Sequence, residues 1–148
     1  MGRTKEYGEK VRAETREKIM ATAVALFAEK GVAGTSAREI AEHAGIAVGL
    51  MYHYFKSKDE VYEALVQEAV KELDGIKNMT ASELHDELEK EFAGGLEFAH
   101  WISILPNDYF AQIVDAFTQT MPRKQAEELV ANIIGRCKLQ LILHGGGK

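Results

Sequence analysis

The chain holds one cysteine, two prolines and only 8% aromatic residues among its 148. A single cysteine, Cys137, excludes an intramolecular disulfide framework and any zinc site built on cysteine pairs. With so little proline, few positions interrupt a helix. Long apolar runs are also missing: the longest, Ala44 to Tyr52, is about half of what a membrane span needs. The opening Met1-Gly2-Arg3-Thr4-Lys5-Glu6 is charged, so no signal peptide is expected, and position 6 lacks the Ser or Thr of a myristoylation signal. No Gly-rich phosphate loop and no nucleophile motif occurs. His85 and Glu89 would share one helix face, but no third metal ligand accompanies them, and a solvated or ion-paired couple is the simpler reading. The expectation is a cytoplasmic chain that is not an enzyme, with no cofactor, no catalytic residue, no metal and no membrane partner.

Hydrophobic residues make up 46%, enough for a true core, which excludes a disordered or collagen-like chain. The net charge of −5 hides an asymmetry. Up to Lys58 there are ten Lys and Arg against seven Asp and Glu, or +3; from Asp59 onward there are eight against sixteen, or −8. A basic first part facing an acidic remainder is a weak pointer to nucleic acid on the basic side.

Helical periodicity and punctuation run through the whole chain. Ile19, Ala23, Leu26 and Phe27 recur at three- and four-residue steps, which predicts a helix from about Arg12 to Lys30, closed by Gly31. Ser36 to Glu39, Ser57 to Glu60 and Thr80 to Glu83 each fit a capping box. They predict a short helix to about His43, a longer one to about Leu73 that Asp74-Gly75 breaks, and one running towards Ile104, loosened at Gly94-Gly95. A second short helix is expected from about Ala47 to Tyr54. Pro106 stops the helix running towards Ile104, Asn107 or Asp108 can cap the next, which reaches about Gln119, and Pro122 suits the first position of a last helix to roughly Leu143. The fold class is all-α, with six or seven helices.

Two short helices joined by a Gly-containing turn form the helix-turn-helix pattern. Ile40, Ala41, Ala44, Ile46, Leu50 and Tyr54 would face inward. Ala47, Val48, Gly49, Tyr52 and His53 would stay outside, and they are small or polar enough for a major groove ~12 Å wide. Tyr52 and His53 offer hydrogen bonds to phosphate. Lys58 opens the next helix, and Thr35 and Ser36 open the first short one, where backbone N–H groups point at an anion.

Thr35 to Lys58 resembles the DNA-binding segment of the tetracycline-repressor (TetR) family of bacterial transcriptional regulators. The run Gly49-Leu50-Met51-Tyr52-His53-Tyr54-Phe55-Lys56-Ser57-Lys58 is its most specific part, and the likeness extends over about residues 12–73. It implies a three-helix helix-turn-helix head over residues 1–56, joined by a longer helix to a helical effector-binding and dimerisation domain over 57–148. It also implies that Thr35, Ser36 and Arg38 contact the DNA backbone or a base. Ala47, Val48, Gly49, Tyr52 and His53 would enter the groove, and Lys58 would bind a phosphate. Ala47, Val48 and Leu50 depart from the residues common in the family, so the target sequence is left open. Each role has a plainer alternative: Tyr52 as a half-buried core ring, His53 and Lys58 as solvated surface, Arg38 as the partner of Glu42.

The second half carries most of the large aromatics. Phe92, Phe98, Trp101, Tyr109, Phe110 and Phe117, with His100 and Gln112, either fill a core or line an apolar effector pocket with polar anchors. Members of the resembled family usually run longer, so this half is expected to be either a naturally shortened bundle or a truncated one. Leu129, Ile133, Ile134 and Leu141 are either dimer contacts or internal packing. The implied partners are double-stranded DNA with a palindromic operator, a small-molecule effector and a second copy of the chain. A repressor released by a small apolar ligand follows; a helical protein–protein adaptor without DNA binding is the rival. Cys137 reads as a small buried hydrophobe, with redox sensing as the alternative if it were exposed.

Overall fold

The computed structural model describes residues 2–145, with side chains from Lys5 onward. Among the described residues there are eight α-helices and no strand. They are α1 (Gly2–Lys30), α2 (Ala37–Ala44), α3 (Val48–Tyr54), α4 (Lys58–Ile76), α5 (Ala81–Ala93), α6 (Glu97–Ile104), α7 (Asn107–Phe117) and α8 (Arg123–Gln140). A π-helical turn, Leu141–Gly145, follows α8 in place of the α-helix expected to reach Leu143.

The expected capping boxes form at α2 and α5. The Ser36 and Thr80 hydroxyls accept the Glu39 and Glu83 N–H groups, and each glutamate carboxylate accepts the cap's own N–H. At α4 the pattern is offset: Ser57 accepts the Glu60 N–H at 3.2 Å, but the Glu60 carboxylate takes the N–H of Lys56 at 3.0 Å. α1 begins at Gly2 rather than near Arg12, because its charged first half is rich in helix formers and contains no proline. α4 passes through Gly75 to Ile76 instead of breaking there. The single helix expected from Thr80 towards Ile104 is two. Gly95 has φ of +106°, a backbone region that side chains disfavour, and it separates α5 from α6.

The chain divides into two compact units, Met1–Leu65 and Val66–Lys148. The division falls inside α4, later than the expected 56/57 boundary. Val61 and Leu65 are fully buried, and Tyr62 sets its ring edge-on to Phe27 of α1 at 6.2 Å. In this first unit α1 packs on α2 and α2 on α3. Ile19, Ala23, Leu26 and Phe27 supply the buried face of α1, Ile40, Ala41 and Ala44 that of α2, and Met51 that of α3. Each large buried side chain contributes about 1.5–3 kcal/mol of transfer free energy.

The second unit packs α8 on α6 and α7 around Leu105, Tyr109, Ile113, Val114, Phe117, Ala126 and Val130. The Tyr109 hydroxyl satisfies itself by donating to the Ala69 carbonyl at 2.7 Å. A smaller cluster holds Phe92, Ala99 and Cys137. Burial pushes the Cys137 thiol up to about 11, which removes the redox-sensing alternative because the reactive thiolate is disfavoured. Glu89 pairs with Arg136 at 2.6 Å, whose guanidinium also lies 4.0 Å from the Phe92 ring centre. Leu129 and Ile134 are half-buried against the larger core, and Ile133 and Leu141 against the smaller one. These four side chains thus pack partly within the unit and keep part of their surface outside it.

Removing the Thr80 cap tests the local logic of α5. Thr80→Ala is expected to lower unfolding stability by about 1 kcal/mol in urea denaturation, and an unchanged midpoint would show that the cap is idle.

Candidate functional site

The surface of the first unit is built around one turn. Gly45 closes α2 with φ of +73°, and its N–H reaches the Ala41 and Glu42 carbonyls. That left-handed residue turns the chain sharply into α3. Ala47 caps α3 with no side-chain hydrogen bond, as an alanine must. α3 is anchored by Met51, which is fully buried, rather than by Leu50, which is 41% exposed. Leu50 and Met51 differ by about 100° around the helix, and it is the long flexible methionine that is buried.

The anchoring side chain decides which residues remain outside. Ala47, Gly49, Leu50, Tyr52 and His53 are exposed, Tyr52 at 49%, and Val48 is half-buried. Tyr52 is therefore not a core ring. Leu50 joins this strip as an apolar contact that its residue type does not betray. A Cβ built on Gly49 would meet nothing within 4 Å, so the fold itself does not require glycine there.

Thr35 and Lys58 occupy different places from those expected of free phosphate ligands. Thr35 is 2% exposed, and its hydroxyl donates to the Gly31 carbonyl at 2.8 Å. Its side chain is consumed by the fold and presents nothing to a partner. The Lys58 ammonium donates to the Thr35 carbonyl at 2.8 Å, tying the start of α4 to the segment before α2. The ammonium is only partly enclosed and keeps further N–H donors. Ser36 spends its hydroxyl in the capping box, and an ion pair from Lys30 together with the Ser36 N–H holds the Glu39 carboxyl below its ordinary range. Arg38 is exposed and forms no ion pair with Glu42 among the described residues. Ser36, Tyr52, Lys56, Ser57 and Lys58 border one shallow, open depression. Lys56, which the residue pattern does not single out, is exposed there.

The second unit encloses a cavity of about 330 Å³. Phe98, Trp101, Tyr109, Phe110 and Phe117 line it. Phe92, His100 and Gln112 do not. Phe92 is committed to the cluster around Cys137, Gln112 is exposed on the outer face of α7, and His100 lies outside the lining. The polar residues that do line the cavity are Glu68, Glu72, Glu87, Glu91 and Glu97, from α4, α5 and α6. Spacing does not distinguish these glutamates from the acidic background of this half. Desolvation, and next the neighbouring Glu87, Glu72 and Glu97, push the Glu91 carboxyl above its ordinary range. Burial, with a smaller effect from Glu72, raises the Tyr109 hydroxyl to about 12. Among the described residues no group of three His, Cys, Asp or Glu could hold a metal ion, and no helix is long and apolar enough to cross a membrane.

Two short helices at a glycine turn, with a slim face of the second left bare, define a helix-turn-helix head. Residues 19–65 match the model of the bacterial regulatory proteins of the tetR family. The first unit is thus similar to the DNA-binding segment of that family, and the relatives it matches are named as regulators of transcription. It is 38% identical over 56 residues to the HTH-type transcriptional repressor KstR2 of Mycolicibacterium smegmatis, covering 38% of this chain and 27% of that protein. It is 45% identical over 58 residues to the probable HTH-type transcriptional regulator YttP of Bacillus subtilis, covering 39% of this chain and 28% of that protein. The matches thus span about a quarter of these curated relatives. In structure it is similar to a gamma-butyrolactone receptor (ArpA-like protein), with a TM-score of 0.57 at 21% identity, covering 90% of this chain and 87% of that one. Likeness at that identity shows the all-α fold.

A carboxyl whose pKa is raised on folding binds its proton more tightly folded than unfolded, so stability falls as pH rises through that window. Glu91→Gln is therefore expected to raise Tm at pH 7, with the gain vanishing below about pH 4, where both states are protonated. Thermal denaturation of both proteins at the two pH values decides it; an equal gain at both would point to packing instead of charge.

Proposed function

We propose that the chain is a DNA-binding transcriptional regulator, a repressor that works as a homodimer in the cytoplasm and leaves its operator when a small, largely apolar ligand enters the second unit. The observation that carries the DNA-binding part is the bare strip on α3, with Tyr52 at 49% exposure. A helix laid in a major groove needs such a slender face. Ala47, Val48, Gly49, Leu50, Tyr52 and His53 would meet the groove, with Val48 and Leu50 suited to a thymine methyl. Ser36, Arg38, Lys56 and Lys58 would flank it at the phosphates. Thr35 takes part indirectly, by shaping the segment from which Ser36 projects. Two heads on a two-fold axis would read half-sites about one helical turn, ~34–36 Å, apart in a palindromic operator.

The aromatic cavity supports the effector role, since a recess of its size and lining accepts a small organic molecule. α4 is shared: it contributes Lys58 at one end and the cavity residues Glu68, Ala69, Glu72 and Ile76 further along. A ligand that binds one arrangement of that helix more tightly would shift the population of heads able to grip DNA, by no more than its difference in affinity for the two states. An adaptor that binds protein alone would need the α3 strip covered by a partner, and the lysines beside it, Lys56 and Lys58, favour an anionic partner instead.

Gly49→Ala separates folding from binding. The added methyl meets nothing in the chain and removes a helix-interior glycine, so stability should rise by up to about 1 kcal/mol. Affinity for the operator recovered by sequencing DNA bound to the purified protein should fall. A variant that is more stable and binds equally well would remove α3 from the groove. Lys58→Gln is expected to weaken binding to all DNA sequences alike and to flatten its salt dependence by about one phosphate contact. An unchanged slope in fluorescence titration would leave Lys58 a purely internal tie.

A further inference from the structure

Resting on the reading of the cavity as an effector site, we infer that it selects a lipophilic organic cation: an ammonium or phosphonium centre carried on an aromatic or alkyl body. The lining combines ring surfaces from Phe98, Trp101, Tyr109 and Phe110 with five carboxylates and contains no Lys, Arg or His. Of these five glutamates only Glu87 has an ion-pair partner among the described residues, Lys90 at 3.7 Å, and that lysine is itself largely exposed.

Both halves of this lining favour the same ligand. Aromatic faces attract a cation and bury the apolar surface around it. The glutamates come from three helices and border the recess from several sides, with Lys90 the one cation beside Glu87 and Glu91 among the described residues. Desolvation first, and then repulsion from the neighbouring glutamates, raise the Glu91 carboxyl, and the repulsion is relieved when a positive charge arrives. A neutral ligand leaves that repulsion in place, and an anion increases it. The cation need not be small and strongly hydrated. A dispersed charge on a bulky body loses less hydration on entering and uses the rings as well as the carboxylates.

Trp101 is the only tryptophan of the chain and lines the cavity, so its fluorescence reports occupancy directly. The full chain is titrated with methyltriphenylphosphonium and triphenylphosphine oxide, which share three phenyl rings and differ in charge, and with triphenylacetate as the anion. The phosphonium is expected to bind about tenfold more tightly than the oxide, and triphenylacetate least. In the triple variant Glu72→Gln, Glu91→Gln, Glu97→Gln, all three exposed enough to tolerate the change, the phosphonium should lose that advantage while the oxide stays within about twofold. Equal binding of oxide and phosphonium in the parent, or a triple variant that keeps the preference, overturns cation selection and leaves an effector cavity for neutral ligands. If no probe of any charge alters Trp101 fluorescence or Tm, the effector cavity falls and cation selection falls with it; the DNA-binding reading of α3 is unaffected.

Discussion

One tie holds the head in its working shape. The Thr35 hydroxyl is buried against the Gly31 carbonyl, and the Lys58 ammonium grips the Thr35 carbonyl, so three segments meet at one residue. The end of α1, the start of α2 and the start of α4 are thereby fixed relative to each other. α3 has fewer than two full turns and no side-chain cap, and it would not hold its place by its own hydrogen bonds. It inherits its position from this tie, from the Gly45 turn and from Met51 beneath it. Buried hydrogen bonds of this sort contribute modestly when made and cost more when broken, which makes the tie a specification of geometry more than a source of stability.

The same residues show why function and folding cannot be divided neatly here. Lys58 already satisfies a backbone carbonyl, and a phosphate would have to share its remaining donors. Ser36 caps a helix, and its neighbour Arg38 is left unpaired and extended to solvent. The head spends its buried polar groups on itself and leaves its exposed ones unassigned. Gly49 is the clearest case, a glycine that the fold would exchange for alanine without a clash.

Much of this is legible in the amino-acid sequence where local chemistry decides the outcome. Ser36, Glu39, Thr80 and Glu83 announce helix starts because a cap is a contact within four residues. Gly45 announces a turn because few other residues adopt its backbone angle. The α3 strip is read almost correctly, and the exception is instructive. Leu50 and Met51 are both apolar, and in a seven-residue helix the periodicity is too short to tell which of them points inward. α1 begins earlier than its apolar pattern does because charged helix formers extend a helix without burying anything. Gly94-Gly95 carries a break whose depth depends on how α5 and α6 pack. The cavity is legible as a group of aromatic residues but not as a site. Its glutamates come from three helices, and only the folded unit brings them around one space. Phe92 and Gln112 share the composition of that region without sharing its geometry.

The lone sulfhydryl has a further use. Cys137 is enclosed by Phe92 and Ala99, and its proton is held tightly, so a thiol-modifying reagent has neither access nor a nucleophile while the second unit stays closed. Alkylation of the chain therefore runs on the clock of that unit's opening. Anything that settles into the neighbouring helices slows the clock, with no label, no engineered residue and no knowledge of the operator required.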